Sequence, residues 1–99
     1  LLCPAFPTPA FLHDQSPDFA KRTLAVNGVP QPYLGTLLGW PALAGLSSVP
    51  GTAAPVGFTR DGLPAGIQIV GPFLEDRTAI HVARCVAEVS GGYVVPPGL

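Results

Sequence analysis

Apolar positions recur along this chain in three distinct rhythms. Residues 57–71, GFTRDGLPAGIQIVG, place two apolar segments around a tight Arg60-Asp61-Gly62-Leu63-Pro64 connection. That pattern predicts a β-hairpin with arms over residues 52–59 and 65–71. In its second arm Ile67, Ile69 and Val70 leave Gln68 as the one polar side chain, and a strand apolar on both faces is expected to be covered on both sides. Residues 34–46 carry Leu34, Leu37, Leu38, Trp40, Leu43 and Leu46 at helical spacing, apolar nearly all round. This predicts one buried helix, with Pro41 at the first position of its second half. Residues 76–90 are amphipathic, with Ala79, Val82, Ala83, Val86 and Val89 on one stripe. Glu75-Asp76 suits the positive end of that helix, and Gly91-Gly92 suits its stop.

The remaining segments are shorter. Residues 1–3 read as a buried strand stopped by Pro4, and residues 5–21, with Pro7, Pro9 and Pro17, as an irregular loop. Asn27-Gly28 is a two-residue turn signal between strands at 23–26 and 29–33. Pro30 and Pro32 confine the second of these to an edge. Residues 94–99 form a proline-rich extended tail.

Composition sharpens the question of what covers these segments. A chain of 99 residues is mostly surface, yet only 11% of it is charged, against 47% hydrophobic, with a mean hydropathy of +0.42. No charged residue lies between Thr23 and Thr59. Prolines interrupt that run, and it holds no unbroken apolar stretch of the roughly 20 residues a membrane-spanning helix needs. The chain opens on Leu1-Leu2 without a basic signal-peptide start. We read it as a piece from the interior of a larger α/β protein. A net charge of −1 gives no reason to expect nucleic acid or an anionic membrane as partner. The thirteen prolines and twelve glycines punctuate apolar segments and do not form low-complexity tracts.

Several constellations carry residue types used in chemistry. His13-Asp14 with Ser16 holds the ingredients of a triad, but side chains this close in sequence do not line up as nucleophile, base and orienter. Loop hydrogen bonding is the expectation there. His81 and Cys85 lie four apart on the last predicted helix, though two ligands do not make a structural zinc site. Cys3 and Cys85 have no metal-like spacing and are expected as two buried thiols in a reducing compartment. Gln68 is expected to brace neighbouring backbone, since a buried amide needs hydrogen-bond partners.

The order LLCPAFPTPAF, VNG, AGLSSVP, APVGFTRDGLPAGIQIVGPFLEDRT and GGYVVPPG resembles the C-terminal end of the amidase signature hydrolases. The likeness covers nearly the whole chain and is most specific from Pro55 to Asp76. It implies an α/β fold in which residues 1–99 are the C-terminal segment of a single amidase domain. The hairpin arms would be strands of a large mixed sheet flanked by helices. It also implies amide hydrolysis by a serine, a second serine in cis conformation and a lysine, all upstream of Leu1, without cofactor. None of the residues here is expected to be catalytic or to bind metal. Ser47-Ser48 lacks the following glycine-rich loop and is expected to bond backbone near a helix end. Lys21, the only lysine, is expected at the surface.

The same resemblance puts Ala5, Phe6, Gly57 and Phe58, and more weakly Trp40, in the wall of an acyl pocket, with Gln68, Gly62 and Pro55 structural. The implied substrate is a small-molecule amide, the implied location cytoplasmic, and the implied partner either the absent N-terminal part or further copies of the chain. An A-type amidotransferase component that works on misacylated tRNA is a second reading, and nylon-oligomer or aryl-amide hydrolases a third. A free-standing hydrophobic interaction module without catalysis is a fourth.

Overall fold

The computed structural model describes residues 1–98. Along the chain it runs through strand β1 (Leu2–Pro4), a single 3-10 turn at Phe19–Lys21, strands β2 (Thr23–Val26) and β3 (Val29–Pro32), and helices α1 (Tyr33–Gly39) and α2 (Ala42–Leu46). Strands β4 (Gly51–Phe58) and β5 (Pro64–Val70) and helix α3 (Asp76–Ser90) complete it. The chain is therefore mixed α/β. One antiparallel sheet has the order β1-β5-β4, and β2 and β3 form a separate two-stranded sheet.

The expected hairpin is present. β4 and β5 pair from Gly51↔Val70 to Phe58↔Pro64, with a register shift between Pro55 and Gly57. Gly57 takes φ +130° at this bulge, a conformation that side chains with a Cβ avoid. Pro55 tolerates its place because β4 is an edge strand. The connecting turn closes through Gly62 N–H to Thr59 O at 3.0 Å and Thr59 N–H to Leu63 O at 2.8 Å. β1 then adds to the other side of β5, Cys3 opposite Gln68. Of the first three residues only Cys3 is buried, so the expected buried strand is exposed at Leu1 and Leu2. No further strand lies against its outer side among the described residues.

Helix α3 covers one face of this sheet. Ala54, Ile69 and Ala79 form the buried centre, with Ile67, Val82, Ala83 and Val86 packed around it. Val89, placed on the same stripe by its spacing, is 91% exposed. The helix stops where expected, at Gly91 in the left-handed region with φ +89°. The opposite sheet face carries Gln68, with buried Cys3 paired beside it. There Ala44 of α2 sits so close over Gly51 that a Cβ on the glycine would come within 2.9 Å of the alanine Cβ. Gln68 is the residue expected to brace this sheet. Its buried Nε2 donates to no acceptor among the described residues.

The largest departure from expectation lies at residues 34–46. The single buried helix is two short ones, broken at Trp40-Pro41, because a proline inside a helix removes a hydrogen bond and clashes with the preceding turn. Pro41 caps the second half and does not begin it. Leu34, Leu38, Trp40 and Leu46 are all exposed. The 3-10 turn, β2, β3 and α2 touch α1 without burying these side chains.

The irregular segment before β2 is better organised than its prolines suggest. Phe6 stacks on Phe11 at 6.0 Å, Phe11 meets Tyr33 edge-on at 6.0 Å, and Phe19 meets Tyr33 at 5.1 Å. Arg22 lies over the Phe19 ring and donates to Ser16 O at 3.0 Å. Asn27 and Gly28 both have positive φ, the backbone expected of the β2–β3 turn. Tyr33, assigned by its spacing to a strand, begins α1. Residues 93–96 continue past α3 without regular structure; Leu99, the end of the expected extended tail, lies outside the described residues.

Two outcomes follow from this packing. Ile69→Ala is expected to lower the unfolding free energy by about 2–4 kcal/mol, whereas Val89→Ala at the exposed end of the same helix face changes it by less than about 0.5 kcal/mol; denaturant titration of the two variants checks the ranking. The second concerns Asp14, which accepts from Ser16 N–H at 2.8 Å. The Ser16 side chain first, then that N–H, and then the Arg22 charge hold its carboxyl below the ordinary 3.8. A lowered folded-state value means that the stabilisation is present above the ordinary carboxylate range and is lost as pH falls through the lowered one. An NMR titration is expected to give a midpoint below 3.8, and Ser16→Ala is expected to raise it.

Candidate functional site

The residues following β1 leave the sheet as a wall. Ala5 continues the β1 ladder by one bond, its N–H donating to Gly66 O at 3.3 Å. Beyond it the chain turns through Phe6, Pro7, Thr8 and Pro9 and encloses a groove of about 410 Å³ against the hairpin end, where Thr59, Ala65 and Gly66 form the other side. Gly66 keeps this side shallow. A Cβ there would come within 3.1 Å of Ala54 O and 3.9 Å of the Ala5 Cβ. The Phe6–Phe11 stack supplies the aromatic part of the lining.

One polar atom stands out in this apolar wall. Thr8 Oγ1 is buried and has no partner among the described residues. Pro7 and Pro9 on either side have no N–H to offer it. Thr59 Oγ1 on the opposite wall accepts from Leu63 N–H at 3.2 Å, which leaves its own hydroxyl hydrogen free. Such a groove has the chemistry to bind an apolar group and to orient it by one or two hydroxyls. It holds no nucleophile, base or charge.

The residues expected in an acyl pocket separate into three places. Ala5 and Phe6 line the groove. Gly57 and Phe58 line a different crevice of about 330 Å³, between the bulged hairpin and the tail residues Tyr93, Val94 and Pro96. Trp40 lies in neither, at the exposed corner between α1 and α2. Thr8 and Phe11 were missed by sequence reasoning. The available signal was the Pro-Thr-Pro triplet, which isolates a hydroxyl from local backbone donors.

The other constellations are structural. Asp14 takes the Ser16 backbone N–H, so His13, Asp14 and Ser16 make a local turn. Ser47 caps α2 with its N–H on Leu43 O at 3.3 Å, and Ser48 turns the chain with φ +54°. Lys21 pairs with Asp18 at 3.1 Å on the surface. Cys3 is buried as expected, but Cys85 is exposed, because its helical position faces away from the sheet; both thiols are free. No cluster of three or more metal-ligating side chains exists among the described residues. No helix among them is long and apolar enough to cross a membrane.

Known proteins resemble this chain in sequence. The A subunit of the glutamyl-tRNA(Gln) amidotransferase of Thermosynechococcus vestitus is 31% identical over the whole chain, which spans 18% of that protein. A protein of the same name from Prochlorococcus marinus subsp. pastoris is 37% identical over 85% of the chain and 15% of its own length. A Mycobacterium tuberculosis protein named for an amidase, AmiA2, is 32% identical over 86% of the chain and 16% of its length. The chain thus spans less than a fifth of each of these relatives. The family model for amidases matches residues 1–80, a span that takes in β1, the groove and the complete β4–β5 hairpin. The chain belongs to the amidase family.

Proposed function

We propose that this chain is the sheet scaffold and one wall of the acyl pocket of an enzyme that hydrolyses a carboxylic amide to an acid and ammonia or an amine. The observation that carries this reading is the groove, where Ala5 and Phe6 lie together under an unpaired hydroxyl. In the whole enzyme a serine attacks the amide carbonyl while the second serine and a lysine take its proton, the pair activation that a weak hydroxyl nucleophile requires. Backbone N–H groups hold the oxyanion. These groups come from sequence outside this chain, since the groove holds none of them. The Phe6 face holds the acyl portion and selects among substrates without taking part in bond making. No cofactor enters this scheme, and the cytoplasm is its proposed setting.

An A-type amidotransferase component that works on misacylated tRNA is the second reading, favoured by the names of the first relatives. A requirement for charged tRNA in turnover by the longer protein separates the two. The exposed leucines of α1 and α2 and the uncovered half of the sheet give this chain its proposed partner, the remainder of its own enzyme; in isolation other copies of the chain take that place.

Three tests address this reading. The 99-residue chain is expected to hydrolyse no amide, and turnover sensitive to a serine-directed reagent would return Ser47-Ser48 to the site. In the longer protein Phe6→Ala is expected to raise KM for amides with bulky apolar acyl groups about tenfold, while KM for amides with small acyl groups changes little. In light scattering at micromolar concentration the isolated chain is expected to associate, because apolar patches beyond a few hundred Å² rarely stay uncovered. A sharp monomer that binds no hydrophobic dye contradicts that expectation.

A further inference from the structure

Every Asp, Glu and Lys of the chain is exposed, and so is every arginine but one. Arg22 is half-buried, and it takes part in neither of the ion pairs among the described residues, Lys21–Asp18 and Arg84–Glu88. A cation drawn out of water normally has a counter-charge. Arg22 is held by neutral groups instead. Ser16 O accepts from its Nε and its Nη2, and the Phe19 ring lies 5.2 Å from its central carbon. Five N–H groups make up a guanidinium fork, so part of this one is uncommitted among the described residues. Arg22 lines a pocket of about 270 Å³ with Phe11, Tyr33, Gln15, His13 and Asp14, and Phe11 is shared with the lining of the groove. We propose that this pocket binds a small aromatic acid, its carboxylate on Arg22 and its ring against Phe11 and Tyr33.

The lining supplies both halves of that ligand class. Arginine pairs with a carboxylate through two parallel N–H···O bonds, a match to its planar fork that a neutral acceptor does not give. Because Ser16 and Phe19 fix the guanidinium in advance, less side-chain freedom is lost on binding. Phe11 and Tyr33 meet edge-on with centroids 6.0 Å apart, so their rings form a corner, and a third ring packs there by its edge or an offset face. A cavity of about 150 Å³ admits benzene; this pocket is larger, with room for a ring and one carboxylate. Asp14 limits the affinity. Its carboxylate, bonded to Ser16 N–H at 2.8 Å, stands on the same rim and repels an incoming anion. Where the acyl group is aromatic, the acid released by the proposed hydrolysis belongs to this ligand class. That link rests on the amidase reading, whereas binding at Arg22 does not.

The test is a titration of benzoate into the 99-residue chain at low ionic strength and fixed pH, read by NMR on the Arg22 Nε–H and on the Phe11 and Tyr33 rings. The expected result is one saturable transition at all three, weakened by added salt. Benzamide, the same ring without the charge, is expected to bind at least about tenfold more weakly. Acetate, the charge without the ring, is expected to bind more weakly as well. Arg22→Gln is expected to remove the transition. Asp14→Asn keeps an acceptor for Ser16 N–H but removes the opposing charge, and is expected to tighten benzoate binding severalfold. The benzamide and Asp14→Asn measurements decide the matter even where Arg22→Gln fails to fold. Absence of a saturable shift in the parent chain overturns the proposal. So does benzamide or acetate binding as tight as that of benzoate, or Asp14→Asn binding that is no tighter than the parent's.

Discussion

Helix α3 lies close against the β4–β5 hairpin because the residues between them are small. Ala79 is 1% exposed at the crossing, facing Ala54 and Ile69. A Cβ on Gly71 would come within 3.3 Å of the Ala79 Cβ. Close approach there gives the half-buried Val82, Ala83 and Val86 their contacts with the sheet. It also fixes the sheet to which β1 is added, and so the point from which the groove loop departs. Weakening that one contact would loosen the only buried cluster among the described residues, since the other buried side chains, Cys3, Leu24 and Ala44, stand apart from it. Of α1 and α2, only Ala44 is buried.

The groove depends on this frame but is built from different materials. Its floor is backbone and small side chains, Ala5, Ala65 and Gly66, which the β1–β5 register brings together. Its aromatic wall rests on the chain of rings from Phe6 through Phe11 to Tyr33, which ties the irregular loop to the start of α1. Position comes from the sheet, and shape from the rings. The groove therefore offers an apolar shape and one unpaired hydroxyl, with no charged side chain in its lining.

Elements with a local cause were legible in the sequence. The Arg60–Pro64 turn, the Asn27-Gly28 turn and the Gly91 stop follow from backbone chemistry within a few residues, and the structure has each of them. Residues 34–46 were misread because apolar spacing says that a segment is to be buried, not by what. Pro41 breaks the helix, and the surface that would bury its halves is not among the described residues. The groove was half legible. Ala5 and Phe6 came from a family resemblance, but their separation from Gly57 and Phe58 depends on the bulge at Pro55–Gly57, a one-residue slip that strand periodicity does not record. Gln68 and Thr8 show the same limit, since burial is visible in a pattern and a missing partner is not.

The contact between Ala44 and Gly51 has a further consequence. Helix α2 and strand β4 are joined by a short turn, and at their crossing there is space for a single methyl group. That methyl is now carried by the helix. The two positions therefore share one volume, and each limits the size of the other. Enlarging Gly51 while Ala44 remains pushes α2 outward from the Gln68 face. Handing the methyl from residue 44 to residue 51 fills the same space at the cost of a glycine inside a short helix. Side-chain size at this corner is a property of the pair, and neither residue's tolerance can be judged alone.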